Sequence, residues 1–275
     1  MKKISLCLLV YFLSNSWAFS AQNVEIYTYD SLPPLSFRNE QNALDGIYIE
    51  IVKTAVSRMP GYTVSFNVVP WVRAKAYAED GTAFAILPPY FHAHDWLTQA
   101  EPKRPYLWPY SQALYTQRDV VICNEKALNT PRTAFPKDFQ GLKFAMTRGD
   151  GRAGEAFSQM VKNKQVQLHE LKDIKALIPY LLKERADCIV TSQTPFSWYL
   201  KQLKETGEYY QHNEKNVVLK EAAVISSNEG YLGYTDINAD KNFPFKKDFS
   251  IKFDIEIYKM KKEGVIQDIV DRFIK

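Results

Sequence analysis

Little in this sequence is able to cross a membrane, attract nucleic acid or hold a metal cluster. The longest apolar run, Ile4 to Leu13, falls well short of the roughly 20 residues a bilayer core requires, which argues against a spanning helix. Thirty-five Lys and Arg stand against 31 Asp and Glu, and without Lys2 and Lys3 the balance is 33 to 31. No basic block or basic-aromatic stripe accompanies that near-neutrality, so nucleic acid is excluded as a partner. Only three cysteines occur, one of them in the apolar run. The other two, Cys123 and Cys188, sit in strand-like apolar runs where a disulfide and two buried thiols are equally natural. No internal repeat or low-complexity tract is visible.

What is present begins with a charged start, the short apolar run, and small residues at Ala18, Ser20 and Ala21. This is the pattern of a secretory signal peptide over residues 1–20, with a cut before Ala21 and a periplasmic mature chain. Cys7 lies inside the apolar run, which speaks against a lipid attachment site. About 255 residues remain, enough for two lobes with a core each.

Strand-like runs then alternate with amphipathic helices, the signature of an α/β fold. Strands are predicted over 24–29, 62–69 and 83–87, with helices over 44–59 and 71–80. A Pro- and aromatic-rich stretch, 88–110, is too long for an ordinary connection and reads as functional surface. The pattern restarts with strands over 119–123, 143–146 and 187–191 and helices over 154–164 and 173–184. Helical spacing returns over 255–273, interrupted at Gly264.

Several motifs along this frame resemble the family-3 extracellular solute-binding proteins, the polar-amino-acid receptors of ABC importers. Pro33-Pro34-Leu35-Ser36-Phe37 is similar to the family's "PPF-F" turn, and Asp45-Gly46-Ile47-Tyr48-Ile49-Glu50 to its next helix start. Pro70-Trp71-Val72-Arg73-Ala74, followed by Gly81, is similar to its "W-x-R" helix. The resemblance implies a type II two-lobed fold, with lobe 1 over 22–115 plus 217–275 and lobe 2 over 116–216. Hinge strands are expected near 114–118 and 211–218. It also implies a monomer that holds a small polar, carboxylate-bearing solute in the cleft, without cofactor or metal, and hands it to an ABC permease.

The family's carboxylate-binding arginine corresponds to Arg104, seven residues before Ser111. A planar guanidinium suits that role because it makes two parallel charge-assisted bonds. Lys143 to Gly151 resembles the strand-to-helix turn whose free amides favour an anion, with Gly149 and Asp150 at its tip. Two departures stand out. Asp150 replaces a threonine, and Ser192 replaces the aspartate that receives the ligand's ammonium. Either Asp150 takes over that role or the ligand has no ammonium, and the position of the turn favours the first. Phe37, Trp71 and Tyr110 are further cleft candidates, and Asp30 is a lip candidate.

Other classes have less behind them. A dehydratase-like enzyme on the same fold needs a poised acid or base, and Asp150, Glu155 and the histidines are the sources. His92-Ala93-His94-Asp95 lacks a third-ligand signal for a metal. Ser192 lacks the context of a hydrolase nucleophile. A ligand sensor acting through a separate membrane partner is the remaining alternative.

Overall fold

The computed structural model describes residues 21–90 and 96–275. The expected leader and the His92-Ala93-His94-Asp95 run lie outside the described residues. In chain order the elements are β1 (Gln22–Thr28), β2 (Ser31–Leu32), β3 (Ser36–Arg38), β4 (Leu44–Asp45), α1 (Ile47–Ser57), β5 (Tyr62–Val68), α2 (Trp71–Glu79), β6 (Ala85–Leu87) and β7 (Leu107–Tyr110). There follow β8 (Tyr115–Asn124), β9 (Lys143–Thr147), α3 (Gly154–Lys162), β10 (Gln167–Leu171), α4 (Ile174–Leu182), β11 (Cys188–Ser192), α5 (Gln193–Glu205) and α6 (Glu208–His212). The chain closes with β12 (Leu219–Gly230), β13 (Gly233–Thr235), α7 (Ala239–Asn242), α8 (Lys246–Lys262) and α9 (Val265–Ile274).

These elements build two five-stranded sheets, one per lobe. The first has the order β5-β1-β6-β13-β7 and the second β10-β9-β11-β8-β12. Parallel pairing joins β1 to β5 and β6, and β9 to β10 and β11, while β13 in the first sheet and β8 and β12 in the second run antiparallel. The helices cover the sheets because their apolar stripes need a partner. In α1 that stripe is Tyr48, Ile51, Val52, Ala55 and Val56, all buried.

The start of α1 shows why the Pro33 to Phe37 turn folds as it does. The first amides of a helix lack partners within it. Here Ile47 N–H donates to Pro34 O at 2.9 Å and Tyr48 N–H to Leu35 O at 3.0 Å. That approach leaves no room at Gly46, where φ is +131° and a Cβ would lie 2.4 Å from Leu35 O.

Two strands join the lobes. β8 and β12 pair along their whole length, from Asn124 opposite Leu219 to Tyr115 opposite Gly230. β11 accompanies β8 only over Asp119 to Cys123, so the far ends run out of the second sheet toward the first. There Tyr90 bridges Gly230, and the Tyr48 hydroxyl fills the space a Gly230 Cβ would take, 2.0 Å away. One expectation needs correction. The return to the first lobe is expected at 211–218, whereas 220–226 lie opposite the part of β8 that β11 also pairs, and the crossing lies beyond them. The alternation of β12 is weakly apolar and interrupted by two register shifts, which hides it from pattern reading.

The cysteines, left open by the sequence, are bridged. Cys123 and Cys188 are register partners on β8 and β11, and their sulfurs are bonded at 1.98 Å. Among the described residues no helix is long and apolar enough to cross a membrane, and no group of three or more His, Cys, Asp or Glu is placed to hold a metal ion.

Candidate ligand-binding cleft

Register sets one face of the cleft. Thr28, Val68 and Leu87 align in a row at the carboxyl ends of β1, β5 and β6, so the residues that follow them emerge together. Ligands on open α/β sheets bind outside the carboxyl ends of the strands. Tyr29, Asp30, Arg38, Val69, Pro70 and Trp71 line a hollow of about 540 Å³ there. The Tyr29 and Trp71 rings lie 5.2 Å apart, and Trp96 meets Trp71 edge-on at 6.3 Å. Ser36 fixes the backbone of Tyr29 by donating its hydroxyl to Tyr29 O at 2.6 Å. Asp30 stands at the lip and accepts from Arg38 Nε at 2.7 Å.

The second sheet supplies charge. β11, β8 and β12 place Ser192, Asp119 and Ser226 side by side in register. Asp119 Oδ1 accepts from the Ser192 hydroxyl at 2.6 Å, and Oδ2 from the Ser226 hydroxyl at 2.8 Å. Arg152, from the turn before α3, then joins the two acids. Its Nη1 donates to Asp119 Oδ1 at 2.7 Å and to the Ser192 hydroxyl, and its Nε to Asp150 Oδ2 at 2.6 Å. Asp119 and Asp150 expose only 14% and 15% of their side chains, so the ion pairs are substantially desolvated. Two carboxylates against one guanidinium leave the cluster with an excess of negative charge.

The two faces are connected along the hinge. Gln117 on β8 donates to the Tyr90 hydroxyl at 2.5 Å, two residues before Asp119. Burial pushes the Tyr90 phenol up, and the charge of Asp119 pushes in the same direction. Burial likewise raises Tyr29, with Tyr90 adding to it. These phenols are therefore neutral donors across the physiological range.

The sequence candidates fare differently. Trp71 and Asp30 lie at the first face, and Asp150 and Ser192 in the charged cluster. Gly149 is in the expected turn with φ +73°, but its amide donates to Glu170 Oε1 at 3.2 Å, and Arg152 N–H donates to Asp150 Oδ1 at 3.1 Å. The amide nest is thus filled by the chain's own carboxylates. Phe37 packs on Trp198 of α5 at 5.3 Å and Phe273 of α9 at 6.3 Å, away from the hollow beside Trp71. Tyr110 pairs with Gly233 and meets the Tyr231 ring at 5.7 Å.

Arg104 departs most from expectation. It is exposed on the turn that brings Leu97 opposite Pro105, and lines a depression with Pro109, Asp236, Lys246 and Lys247 that holds no residue of the second sheet. No hydrogen bond or ion pair among the described residues links it to Asp150 or Gly149. The guanidinium in the charged cluster is that of Arg152, which the sequence reading did not single out. Its signal was present, since Asp150 and Arg152 flank Gly151 at a helix start, a spacing suited to a turn that folds back on itself. Asp119 was legible too, as a lone acid opening an otherwise apolar strand.

Two β-sheet lobes joined by two crossing strands, with a cleft at the carboxyl ends, define the two-lobed periplasmic-binding-protein-like fold. Solved amino-acid ABC transporter substrate-binding domains share it. The second substrate-binding domain of a putative amino acid ABC transporter from Streptococcus pneumoniae is similar at TM-score 0.64 and 16% identity, covering 92% of this chain and 100% of that one. The L-cystine solute receptor of Neisseria gonorrhoeae, unliganded and open, is similar at 0.64 and 17%, covering 92% of each chain. Substrate-binding domain 2 of Lactococcus lactis GlnP, also open, is similar at 0.65 and 12%, covering 92% of this chain and 95% of that one. No family model matches the sequence, and no curated relative does.

Proposed function

We propose that this protein is a periplasmic receptor that closes on a small polar, carboxylate-bearing solute, an amino acid or related compound, and delivers it to an ABC importer. The observation that carries this reading is a division of labour between two sites that Gln117 and Tyr90 connect along the hinge. Rings come from the first lobe, and a guanidinium with two carboxylates comes from the second. Tyr29 and Trp71 suit the apolar part of a ligand, or a cation held over their faces. Arg152 spends Nε and Nη1 on Asp150, Asp119 and Ser192, which leaves Nη2 to meet a ligand carboxylate. Asp119 and Asp150 balance a ligand ammonium in the role Ser192 is unable to fill, because a hydroxyl carries no charge.

The role is binding rather than catalysis. Closure about β8 and β12 buries the ligand, and ligand binding raises the population of the closed form. The leader-like start and the likeness to transporter domains support export and an importer partner.

A thermal-shift screen over amino acids, dipeptides, opines and organic acids tests this. A true ligand at a hundred times its dissociation constant stabilises by about 2.7 kcal/mol. Asp119→Asn and Trp71→Ala each remove that shift if the cleft is the site. A ligand whose affinity survives both substitutions rejects the assignment, and turnover of prephenate or arogenate by purified protein favours the enzyme instead.

A further inference from the structure

The face of the first lobe carried by α8 has a chemistry that the cleft does not use. The helix buries Phe249, Phe253, Ile257 and Met260 against the core, as an amphipathic helix should. On its other side Ile251, Ile255 and Tyr258 are 53%, 47% and 53% exposed. With Lys247 and Lys262 they form one stripe at four-, four-, three- and four-residue steps, about 22 Å long at the helical rise. Three apolar side chains thus lie between two lysines, and Lys262 sits over the Tyr258 ring at 5.6 Å.

The charge around the stripe is positive in balance, with Lys246, Lys252 and Lys259 paired to Asp236, Asp248 and Glu256. α8 contains six lysines against Asp248, Asp254 and Glu256. Two of those acids are turned inward, since Asp254 accepts from Gln112 N–H at 2.8 Å and Glu256 is 9% exposed. At the start of the helix is the depression lined by Arg104, Lys246 and Lys247, with Asp236 paired to Lys246 at 3.3 Å. Lys246 also donates to Trp108 O at 2.6 Å, which places an exposed tryptophan, 58% accessible, on the edge strand beside the same end of the helix.

We infer that this face docks onto an anionic phospholipid surface. An exposed apolar stripe flanked by lysines, with an aromatic ring at its margin, suits the headgroup boundary, where rings sit with one side apolar and one side wet and lysines meet acidic headgroups. A second copy of the chain fits poorly. An antiparallel pairing of two such stripes sets Lys247 against the other copy's Lys262, with like charges opposed. Arg104 adds a further cation at the rim of this face.

The test is co-sedimentation of the full protein with vesicles of phosphatidylcholine alone and with added phosphatidylglycerol, at low and high salt. Partitioning is expected on the mixed vesicles only, and it weakens as salt rises. Lys247→Glu with Lys262→Glu lowers it about tenfold or more, each lysine near such a surface being worth roughly fivefold. Ile255→Gln lowers it severalfold. All three changes are at exposed positions, and their melting temperatures and solute-induced thermal shifts stay at wild-type values, which separates this surface from the cleft. Equal partitioning on both vesicle types, or none on either, overturns the inference. So does a concentration-dependent dimer abolished by Ile255→Gln, which assigns the stripe to self-association. Binding to polyglutamate without binding to vesicles also overturns it, in favour of an acidic protein partner.

Discussion

The two lobes present the same architecture and hold it together differently. In the first, rings dominate. Phe84 meets Tyr234, Phe243, Phe245 and Phe249 at centroid distances of 5.0 to 5.4 Å, within the larger of two cores, which extends under α1, α8 and α9, while a smaller one holds Tyr27, Ile86, Trp96 and Tyr106. In the second, the sheet likewise separates two cores, of similar size, Leu177, Ile178, Leu181 and Leu182 on one face and Phe139, Phe144 and Phe157 on the other. A disulfide crosses that sheet and a charged network closes its end. The first lobe therefore spreads its stability over many small contacts, and the second places more of it in a few strong ones. Single changes should break the second lobe more readily.

The disulfide offers the largest test of that contrast. It closes a segment of 65 residues, and loop-closure entropy assigns such a cross-link about 4 kcal/mol. Replacing Cys123 and Cys188 together by alanine should lower stability by about that amount, within the range of roughly 2–5 kcal/mol seen when native bridges are lost. Hydrogen exchange would show where the loss falls. Amides of β8, β9 and β11 lose protection while those of β1, β5 and β6 keep theirs. A uniform loss across both sheets would show instead that the lobes unfold as one unit.

Arg152 comes next. Removing one partner of a desolvated ion pair leaves the others uncompensated, which in a fully buried setting costs about 3–5 kcal/mol. Arg152 is 31% exposed in its side chain, so Arg152→Ala is expected to cost less, about 2 kcal/mol by denaturant midpoint. Adding Asp119→Asn should return part of that loss, because one of the two opposed charges is then gone. If the double variant is no more stable than the single, the cluster is not electrostatically coupled, and the second lobe rests on its disulfide and cores alone.

How much of this was legible in the sequence follows the same division. The α/β alternation, the helices near 47–57, 71–79 and 174–182, and the core stripe of α1 were readable because period-3.6 burial is written locally. Trp71, Asp30, Asp150 and Ser192 are legible as candidates because each follows or ends a recognisable element. Arg104, expected at the ligand carboxylate, lies in a depression of the first lobe for a different reason. Spacing along the chain fixes where a residue falls in a motif, and says nothing of how a turn directs its side chain. Arg152 was overlooked because its partners come from four separate segments, the turn itself, β8, β11 and, through Asp119, β12, and only register brings them together. The disulfide was undecidable for the same reason, as Cys123 and Cys188 become partners only when β8 and β11 pair.

The smallest effect sharpens the comparison at the surface. Glu184, in the turn after α4, accepts from Lys126 at 2.5 Å and pairs with Lys215 at 2.9 Å, tying together three segments of the second lobe. The hydrogen bonds from Lys126 and Lys215 lower its carboxyl from 4.5 to about 2. A carboxyl lowered by folding contributes stability above its unfolded value, and that contribution disappears as pH falls through the folded one. The gap in melting temperature between the wild type and Glu184→Gln should be constant above pH 4.5, shrink below it, and vanish near pH 2. In the first lobe, Asp248 is lowered from 3.8 by its bond to Lys252 and the Tyr62 hydroxyl, so Asp248→Asn should show its pH-dependent gap only as acidity approaches that value. Because both lysine partners are largely exposed, the difference is small and salt-sensitive. A Glu184→Gln gap unchanged from pH 6 to pH 2 would mean that the two lysines act on this turn through packing rather than charge, and the second lobe's reliance on ion pairs would then be confined to the cluster at the cleft.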